Sequence, residues 1–242
     1  GDDEKNLLCC LIAKKTGHCQ TIARVRNPIY NEEIAFLKKE FGLAMIINPE
    51  QATAMEIAQI FQFPSAIRVD SFAKGHMSLL HFRIGPNSPL IGLQLFKFHQ
   101  TMQRNVLVCT VIRGDEVIIP NGDFQFAAND IVAIASERRN ALEFFRKIGA
   151  AKNRVGNAIL AGGGKVSFYL AKMLLHSGID VTIIEINRAR CESLSEQLPK
   201  ATIICGDATD QSLLMQEGLA NADGFAALTG LDEENILLSL YA

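Results

Sequence analysis

Nowhere in its 242 residues does this chain hold a run of about eighteen apolar residues, the length a membrane-spanning helix needs, so it reads as a soluble protein or fragment. It also lacks an excess of either charge. With 24 basic against 26 acidic side chains there is no electrostatic footprint for nucleic acid, and any anionic ligand must be held locally. No C-x-x-C pair occurs among the six cysteines, Cys9, Cys10, Cys19, Cys109, Cys191 and Cys205. Their place inside apolar runs fits reduced, core-packed thiols of a cytosolic protein, with Cys9-Cys10 filling a core from a helix. The histidines His18, His76, His81, His99 and His176 show no ligand spacing, which argues against a metal site. The opening GDDEKN has no methionine, basic n-region or apolar h-region; it is no signal peptide and reads as the middle of a longer chain.

What is present centres on residues 157–185, NAILAGGGKVSFYLAKMLLHSGIDVTIIE. A short apolar run is broken by Gly162, Gly163 and Gly164 just before the helical pattern Phe168, Leu170, Ala171, Leu174 and Leu175. Gly178 stops that helix, and the β-branched run Val181 to Ile184 ends at Glu185, twenty-one residues beyond Gly164. This is a strand–turn–helix–strand unit with a dinucleotide fingerprint. Gly162 permits the tight turn, Gly164 lets the backbone approach a pyrophosphate, and the first helical N–H groups face phosphate oxygens. Glu185 at the second strand's end can accept both ribose hydroxyls while repelling a 2′-phosphate. Ser167 stands where the third glycine of the fingerprint, which serves close helix–strand packing, would be.

From the start, the pattern predicts a helix over 2–15, a strand over 20–26, a helix over 31–41, a strand over 44–47 and a helix over 51–61, the rhythm of the second half of a doubly wound sheet. From Phe63 the texture changes. Strands at 66–72 and 77–84 flank a Lys74-Gly75 turn, a short helix covers 90–98, residues 105–113 and 116–119 form a hairpin about Gly114-Asp115, and a strand at 130–135 precedes an amphipathic helix at 137–148. This is a small α+β domain. After the fingerprint come a helix at 188–198, a strand at 201–205 leading into Gly206-Asp207-Ala208-Thr209-Asp210, a short helix at 211–218, a strand at 223–228 and a last helix running to Ala242. Here the chain repeats itself. GDDEKNLLCCLIA at the start and GLDEENILLSLYA at the end agree at seven of thirteen positions, among them Asp3/Asp232, Asn6/Asn235 and Leu8/Leu237, a period of 229 residues. So long a period marks a duplicated multi-element unit rather than a solenoid.

The motifs GGGKV, VTIIE, GDATD, LTGLDEEN, ARVRNP and SPLIGLQL, together with the order of nucleotide-binding half, α+β domain and nucleotide-binding half, resemble the TrkA family of tandem RCK (KTN) potassium-uptake regulators. The resemblance implies an α/β fold of Rossmann-like parallel sheet halves flanking a small α+β lobe: residues 1–61 as the second half of one RCK N-lobe, 65–148 as its C-lobe and 155–242 as the first half of the next N-lobe. It implies no catalysis and no metal. It implies a cytoplasmic regulatory subunit, peripheral on the inner face of the membrane and homo-oligomeric through its N-lobes, that binds NAD, NADH or ATP/ADP and controls a TrkH-like potassium channel or transporter. By the same likeness Gly162, Gly164, Lys165 and Val166 lie at the phosphates, Glu185 at the ribose, Asp207 and Ala208 at the adenine, and Thr229 and Asn235 at the crevice mouth. The family commonly has arginine and glycine where this chain has Lys165 and Ser167.

Some residues carry two readings. Asp207 could cap the following helix or bond an adenine amine; Asp232 could be a helix N-cap; Arg24 and Arg26, on one face at a strand's carboxyl end, could hold a phosphate or form a surface ion pair. Two other functions are weighed: an NAD-dependent dehydrogenase, for which no paired acid–base motif is visible, and the soluble RCK tail of an integral ion transporter. If the chain stands alone, residues 20–26 should pair in parallel with 223–228, within one chain or between two, to complete a six-stranded sheet, because each strand otherwise leaves an open edge; if it is an excerpt of a longer chain, each half pairs with residues outside it. In the first case one of the two repeated helices should be displaced.

Overall fold

The computed structural model describes residues 2–30, 34–72, 77–101, 105–149 and 155–242. The chain forms two compact units, one made of Gly1–Ala58 with Gly156–Ala242 and the other of Gln59–Val155.

The first unit begins with α1 (Asp3–Thr16), β1 (Ile22–Arg24), α2 (Ile34–Glu40), β2 (Met45–Ile47) and α3 (Pro49–Gln62). Asp2 caps α1 by accepting from Lys5 N, and acidic residues in its first turn with Lys14 and Lys15 in its last match the helix dipole. Leu7 is buried with Ala23, Val25 and Leu43 against the parallel pair β1–β2. β1 is shorter than the alternation suggests. At its end the buried Asp3 carboxylate takes the N–H groups of Arg26 and Asn27 at 2.8 and 2.7 Å, removing those donors from the ladder.

The second unit holds β3 (Ala66–Phe72), β4 (Met77–Arg83), α4 (Leu95–Thr101), β5 (Val106–Arg113), β6 (Glu116–Ile118), β7 (Ile131–Ser136) and α5 (Arg138–Lys147). Its five strands run antiparallel in the order β3-β4-β7-β5-β6. Phe82, Phe98 and Phe144 fill the core, with Phe82–Phe144 and Phe98–Phe144 meeting edge to face at 5.4 and 5.7 Å. The helix expected at 90–98 begins only at Leu95. Gly92 N and Leu95 N are engaged by Phe126 O and Phe124 O, and Gln94 bridges Gln125, so this stretch is held as a strand-like rung before it can turn helical. The Lys74-Gly75 turn lies outside the described residues.

The first unit resumes with β8 (Asn157–Ala161), α6 (Lys165–His176), β9 (Asp180–Glu185), α7 (Arg188–Gln197), β10 (Thr202–Cys205), α8 (Gln211–Gln216), β11 (Gly224–Ala227) and α9 (Asp232–Tyr241). These four strands are parallel in the order β10-β9-β8-β11, that is, third, second, first, fourth. This is the first half of a doubly wound sheet. Fully buried Leu160, Leu170, Leu174, Ile183 and Ile184 form its centre.

Within the chain, the completion of the sheet does not occur. β1 pairs with β2, and β11 with β8; no ladder joins β1 to β11, and neither copy of the repeated helix is displaced. The reason is steric. α1 lies on β1 and α9 on β11, so joining the strands would require one helix to leave the apolar surface of its own strand. The two segments meet instead through Tyr169 of α6, whose buried hydroxyl donates to Arg26 O at 3.0 Å and accepts from Asn48 Nδ2 at 2.9 Å.

The thiols also differ from expectation. Cys191 is buried, but Cys9, Cys19 and Cys205 are exposed and Cys10 and Cys109 are half-buried. On α1 the inward positions are taken by Leu7 and by Cys10, whose thiol donates to Ile22 O, and Cys9 is turned to solvent. Among the described residues no cluster of His, Cys, Asp and Glu could hold a metal ion, and no helix is long and apolar enough to cross a membrane.

One buried ion pair should govern the second unit. Asp130, 1% exposed, accepts from Arg113 Nε and Nη2 at 2.8 and 2.7 Å and from Ala127 N at 2.8 Å. Burial alone would raise its pKa, but the Arg113 hydrogen bonds and charge and the Ala127 N–H outweigh this and hold the carboxyl below its usual value. Removing one partner of such a pair costs about 3 to 5 kcal/mol when both are buried. Arg113 is partly solvated, and Asp130→Ala is therefore expected to cost about 2 to 3 kcal/mol at neutral pH. Because the folded pKa is depressed, the carboxylate's contribution is complete above the unfolded value of about 4 and fades as pH falls below it. Urea melts at pH 7 and pH 3 should show the wild-type advantage over the variant shrinking at the lower pH; an equal gap at both would assign the loss to packing alone.

Candidate functional site

The carboxyl ends of β8, β9, β10 and β11 open onto a crevice of about 570 Å³, lined by the glycine turn, Ile184–Ile186, Asp207–Thr209, Leu228–Leu231 and Glu234. Its floor is set by backbone approach. Gly162 has φ +99°, and a Cβ there would lie 2.6 Å from Leu228 O, so the turn after β8 touches the turn after β11 directly. A Cβ on Gly163 would meet Glu185 Oε2 at 2.8 Å and Leu194 Cδ1 at 2.7 Å. On Gly164 it would meet nothing within 4 Å. The first glycine is therefore required by the β11 turn, the second by the carboxylate, and the third faces open space where a ligand can approach.

Glu185 organises this turn. Its Oε2 accepts from Gly163 N and its Oε1 from Asn187 N, both at 2.7 Å. An ionised carboxylate offers about four acceptor sites, which leaves capacity for two more hydroxyl donors. Asn187 caps α7 through Arg190 N, and Arg190 Nε donates to Gly163 O at 2.7 Å, so both sides of the Gly163 peptide are fixed. Neither Gly163 nor Arg190 was foreseen as functional. The fingerprint spacing includes Gly163 as a bystander, and a guanidinium reaching a carbonyl 27 residues away leaves no local pattern.

Ser167, fully buried in the first turn of α6, donates its hydroxyl to Gly162 O. A serine here thus adds a bond to the turn instead of merely loosening it. Gly164 caps α6 without a side-chain acceptor, which leaves the first N–H groups of the helix open to an anion. Lys165 and Val166 occupy that first turn, half-buried and outside the crevice lining.

Across the crevice, Asp207 Oδ1 accepts from Thr209 N and Thr209 Oγ1 at 2.8 and 2.7 Å, which lowers its pKa. It does not cap the next helix. Asp210 does, accepting from Ser212 N and Leu213 N, because α8 starts at Gln211. Ala208 is buried beside it. Thr229 N and Thr229 Oγ1 donate to Asn235 Oδ1 at 2.8 and 2.9 Å while Asn235 Nδ2 returns a bond to Thr229 O. Asn235 thus shapes the crevice mouth from behind without lining it. Asp232 is not an N-cap: Leu231 holds that position, with no side-chain bond. Arg24, on β1, pairs with Glu50 at 3.0 Å and is not part of the crevice lining.

Glu185, Asp207 and Glu234 line the crevice and would repel an anion beside them, whereas the first turn of α6 presents N–H groups that no side chain caps. The tightest constraint is at Gly162, where alanine would be strained by the positive φ and would collide with Leu228 O. Gly162→Ala is expected to lower stability by more than about 1 kcal/mol and to open the crevice floor. Thermal melting checks the first effect; Gly164→Ala, with free space around it, should melt close to wild type.

Comparison with known proteins bears on the family and the fold. Residues 158–242 match the TrkA-N domain and residues 79–149 the TrkA-C domain. The Trk system potassium uptake protein trkA homolog 1 of Methanosarcina mazei is 35% identical over 250 residues, covering 100% of this chain and 61% of that protein. The Trk system potassium uptake protein TrkA homolog of Archaeoglobus fulgidus is 33% identical over 240 residues, covering 99% of this chain and 54% of its own length. The chain thus spans roughly half to three-fifths of the relatives it matches. Among solved structures, the GsuK RCK domain superimposes with a TM-score of 0.63 at 17% identity, over 100% of this chain and 50% of that one. The GsuK channel bound to NAD gives 0.62 at 18%, over 100% and 42%. At such identity these two establish the fold, a Rossmann-like RCK architecture. With the two domain matches in tandem and relatives aligned over its whole length, the chain belongs to the TrkA family of RCK proteins.

Proposed function

We propose that this chain is the nucleotide-sensing part of a regulatory subunit that controls potassium uptake through a membrane channel or transporter. The carrying observation is the crevice at Gly162–Gly164, where an acceptor-rich carboxylate bonded to Gly163 N lies beside the uncapped N–H groups of the α6 start. An adenosine nucleotide suits both features: ribose hydroxyls complete the acceptor set of Glu185, and phosphates take the first turn of α6. NAD, NADH, ATP and ADP share this adenosine half. The names of the relatives and the RCK fold support the potassium reading.

In this reading residues 1–61 and 155–242 are halves of two successive N-lobes and 65–148 is a C-lobe, with N-lobes assembling copies of the subunit on the cytoplasmic face of the membrane. Gly162, Gly164, Lys165 and Val166 serve the phosphates, Asp207 and Ala208 the adenine, and Thr229 and Asn235 the rim. Arg24 would reach a phosphate only by exchanging its bond to Glu50. The subunit catalyses nothing; it transmits occupancy. A nucleotide can shift the arrangement of lobes only by binding one arrangement better than another.

The test is calorimetry of the full-length protein with NADH, NAD, ATP and ADP. At least one should bind saturably, and Glu185→Ala should weaken it by about 1.5 to 3 kcal/mol, the range for hydrogen bonds to a charged group, or about ten- to a hundredfold. Equal affinity in the variant would remove Glu185 from the site. No heat with any of the four would overturn the reading, and steady oxidation of NADH with carbonyl substrates would replace it by a dehydrogenase.

A further inference from the structure

Cys191 and Cys205 come together on either side of the residue that organises the crevice. Cys191 lies in the first turn of α7, 6% exposed, and its thiol donates to Glu185 O at 3.2 Å. Cys205 ends β10 directly opposite Glu185 in the parallel ladder and is exposed. α7 lies over both β9 and β10, so the Cys191 thiol, bonded to Glu185 O, and Cys205, the ladder partner of Glu185, are gathered about one residue. Burial first, and Cys205 second, push the Cys191 thiol up to about 11. Two thiols gathered about one residue, one solvent-facing and one sheltered, are arranged as an attacking and a resolving pair.

We propose that Cys191 and Cys205 form a reversible dithiol–disulfide site whose reagent is a small-molecule disulfide, and that closing it weakens nucleotide binding at the Glu185 crevice. In the first step Cys205 loses its proton to solvent and attacks one sulfur of the reagent RSSR. The reagent's S–S bond breaks, RS⁻ leaves, and Cys205 carries a mixed disulfide. In the second step Cys191 gives up its proton and attacks the Cys205 sulfur, expelling the second RS⁻. Two protein thiols are oxidised by two electrons, and RSSR is reduced to two RSH. The buried, protonated Cys191 is protected from the bulk reagent and acts only after Cys205 has been captured.

The consequence for the crevice follows from connectivity. A disulfide holds its Cα atoms about 4.4 to 6.8 Å apart and so ties the start of α7 to the end of β10. Asn187 N and Arg190, which hold the Glu185 carboxylate and Gly163 O, belong to the same cap and first turn as Cys191. Closing the bond also removes the thiol donor from Glu185 O, leaving it the bond from Gly206 N at 3.0 Å. Any shift of this turn is read directly at the Glu185 carboxylate. By linkage, bound nucleotide favours the dithiol by the same factor.

The effect on affinity rests on the nucleotide reading above; the thiol chemistry does not. The full-length protein is treated with cystamine and mapped with trypsin. The result expected is a cross-link between the peptide that begins at Cys191 and the one containing Cys205, reversed by dithiothreitol. Cys191→Ser should stop at the cystamine adduct on Cys205, and Cys205→Ser should yield neither product. NADH and ATP affinity should fall about tenfold on oxidation of the wild type and stay constant in Cys205→Ser. Absence of the cross-link in the wild type overturns the proposal. A complete cross-link with unchanged affinity overturns its second half. If the reduced protein binds neither nucleotide, the functional reading fails, and the affinity effect with it, while the peptide map still decides the thiol pair.

Discussion

The Glu185 carboxylate, clamped between Gly163 N and Asn187 N, is the constraint on which the rest of the site depends. A carboxylate that accepts two backbone N–H groups fixes the orientation of both peptides. Here one belongs to the turn after β8 and the other to the turn after β9. Gly162 must then pass against Leu228 O with no room for a side chain, which draws in the turn after β11, while Gly206 N donates to Glu185 O and secures the end of β10. Four strand ends are thus gathered around one residue. Such a crevice is preorganised: little of its geometry has to be made when a ligand arrives.

Much of this was legible in the sequence because it rests on local rules. Glycine before a helical pattern, an acid at the end of the next strand and a β-branched run need only neighbours a few residues away to be recognised, and the order β10-β9-β8-β11 follows from right-handed crossovers. What was not legible depended on contacts between distant segments. Asp207 and Asp210 lie three residues apart and either could cap a helix; only the start of α8 at Gln211 decides for Asp210. Residues 90–94 carry a helical pattern, yet they are taken as a rung by 124–126. Cysteines inside apolar runs look like core, but β10 is the edge strand of its sheet and Cys205, its last residue, is exposed. Ser167 takes the place of the third glycine, and its hydrogen bond to Gly162 O has no counterpart in the fingerprint pattern.

The repeated helices show how the same residues acquire different roles from different surroundings. In α1, Asp3 is buried and accepts the N–H groups of Arg26 and Asn27, and Asn6 Nδ2 donates to Arg24 O. Burial would raise the Asp3 pKa; those N–H groups, with the charges of Lys165 and Arg26, bring it below its usual value. Their counterparts in α9 are Asp232 and Asn235. Asp232 is exposed and Asn235 turns to Thr229. The difference is the strand: β1 follows α1 and lies against it, whereas α9 lies against β11, the strand before it.

The shared residues are therefore better understood as a strand clamp than as a helix cap. In α1 the cap is Asp2, one position earlier, and Asp3 is free to hold the end of the next strand. The repeat aligns Asp232 with Asp3 and sets Leu231, which has no capping oxygen, against Asp2. A selective need for a cap would have kept an acceptor at that position; the identity lies instead at the position that grips the strand. Apolar residues agree with this. Leu7 is 5% exposed against β1, and Ile236, its counterpart in α9, is 60% exposed. The first turn of α9 thus carries two separate polar groups: Asn235 shapes the crevice mouth through Thr229, while Asp232 is exposed at the position where Asp3 of α1 holds the end of β1.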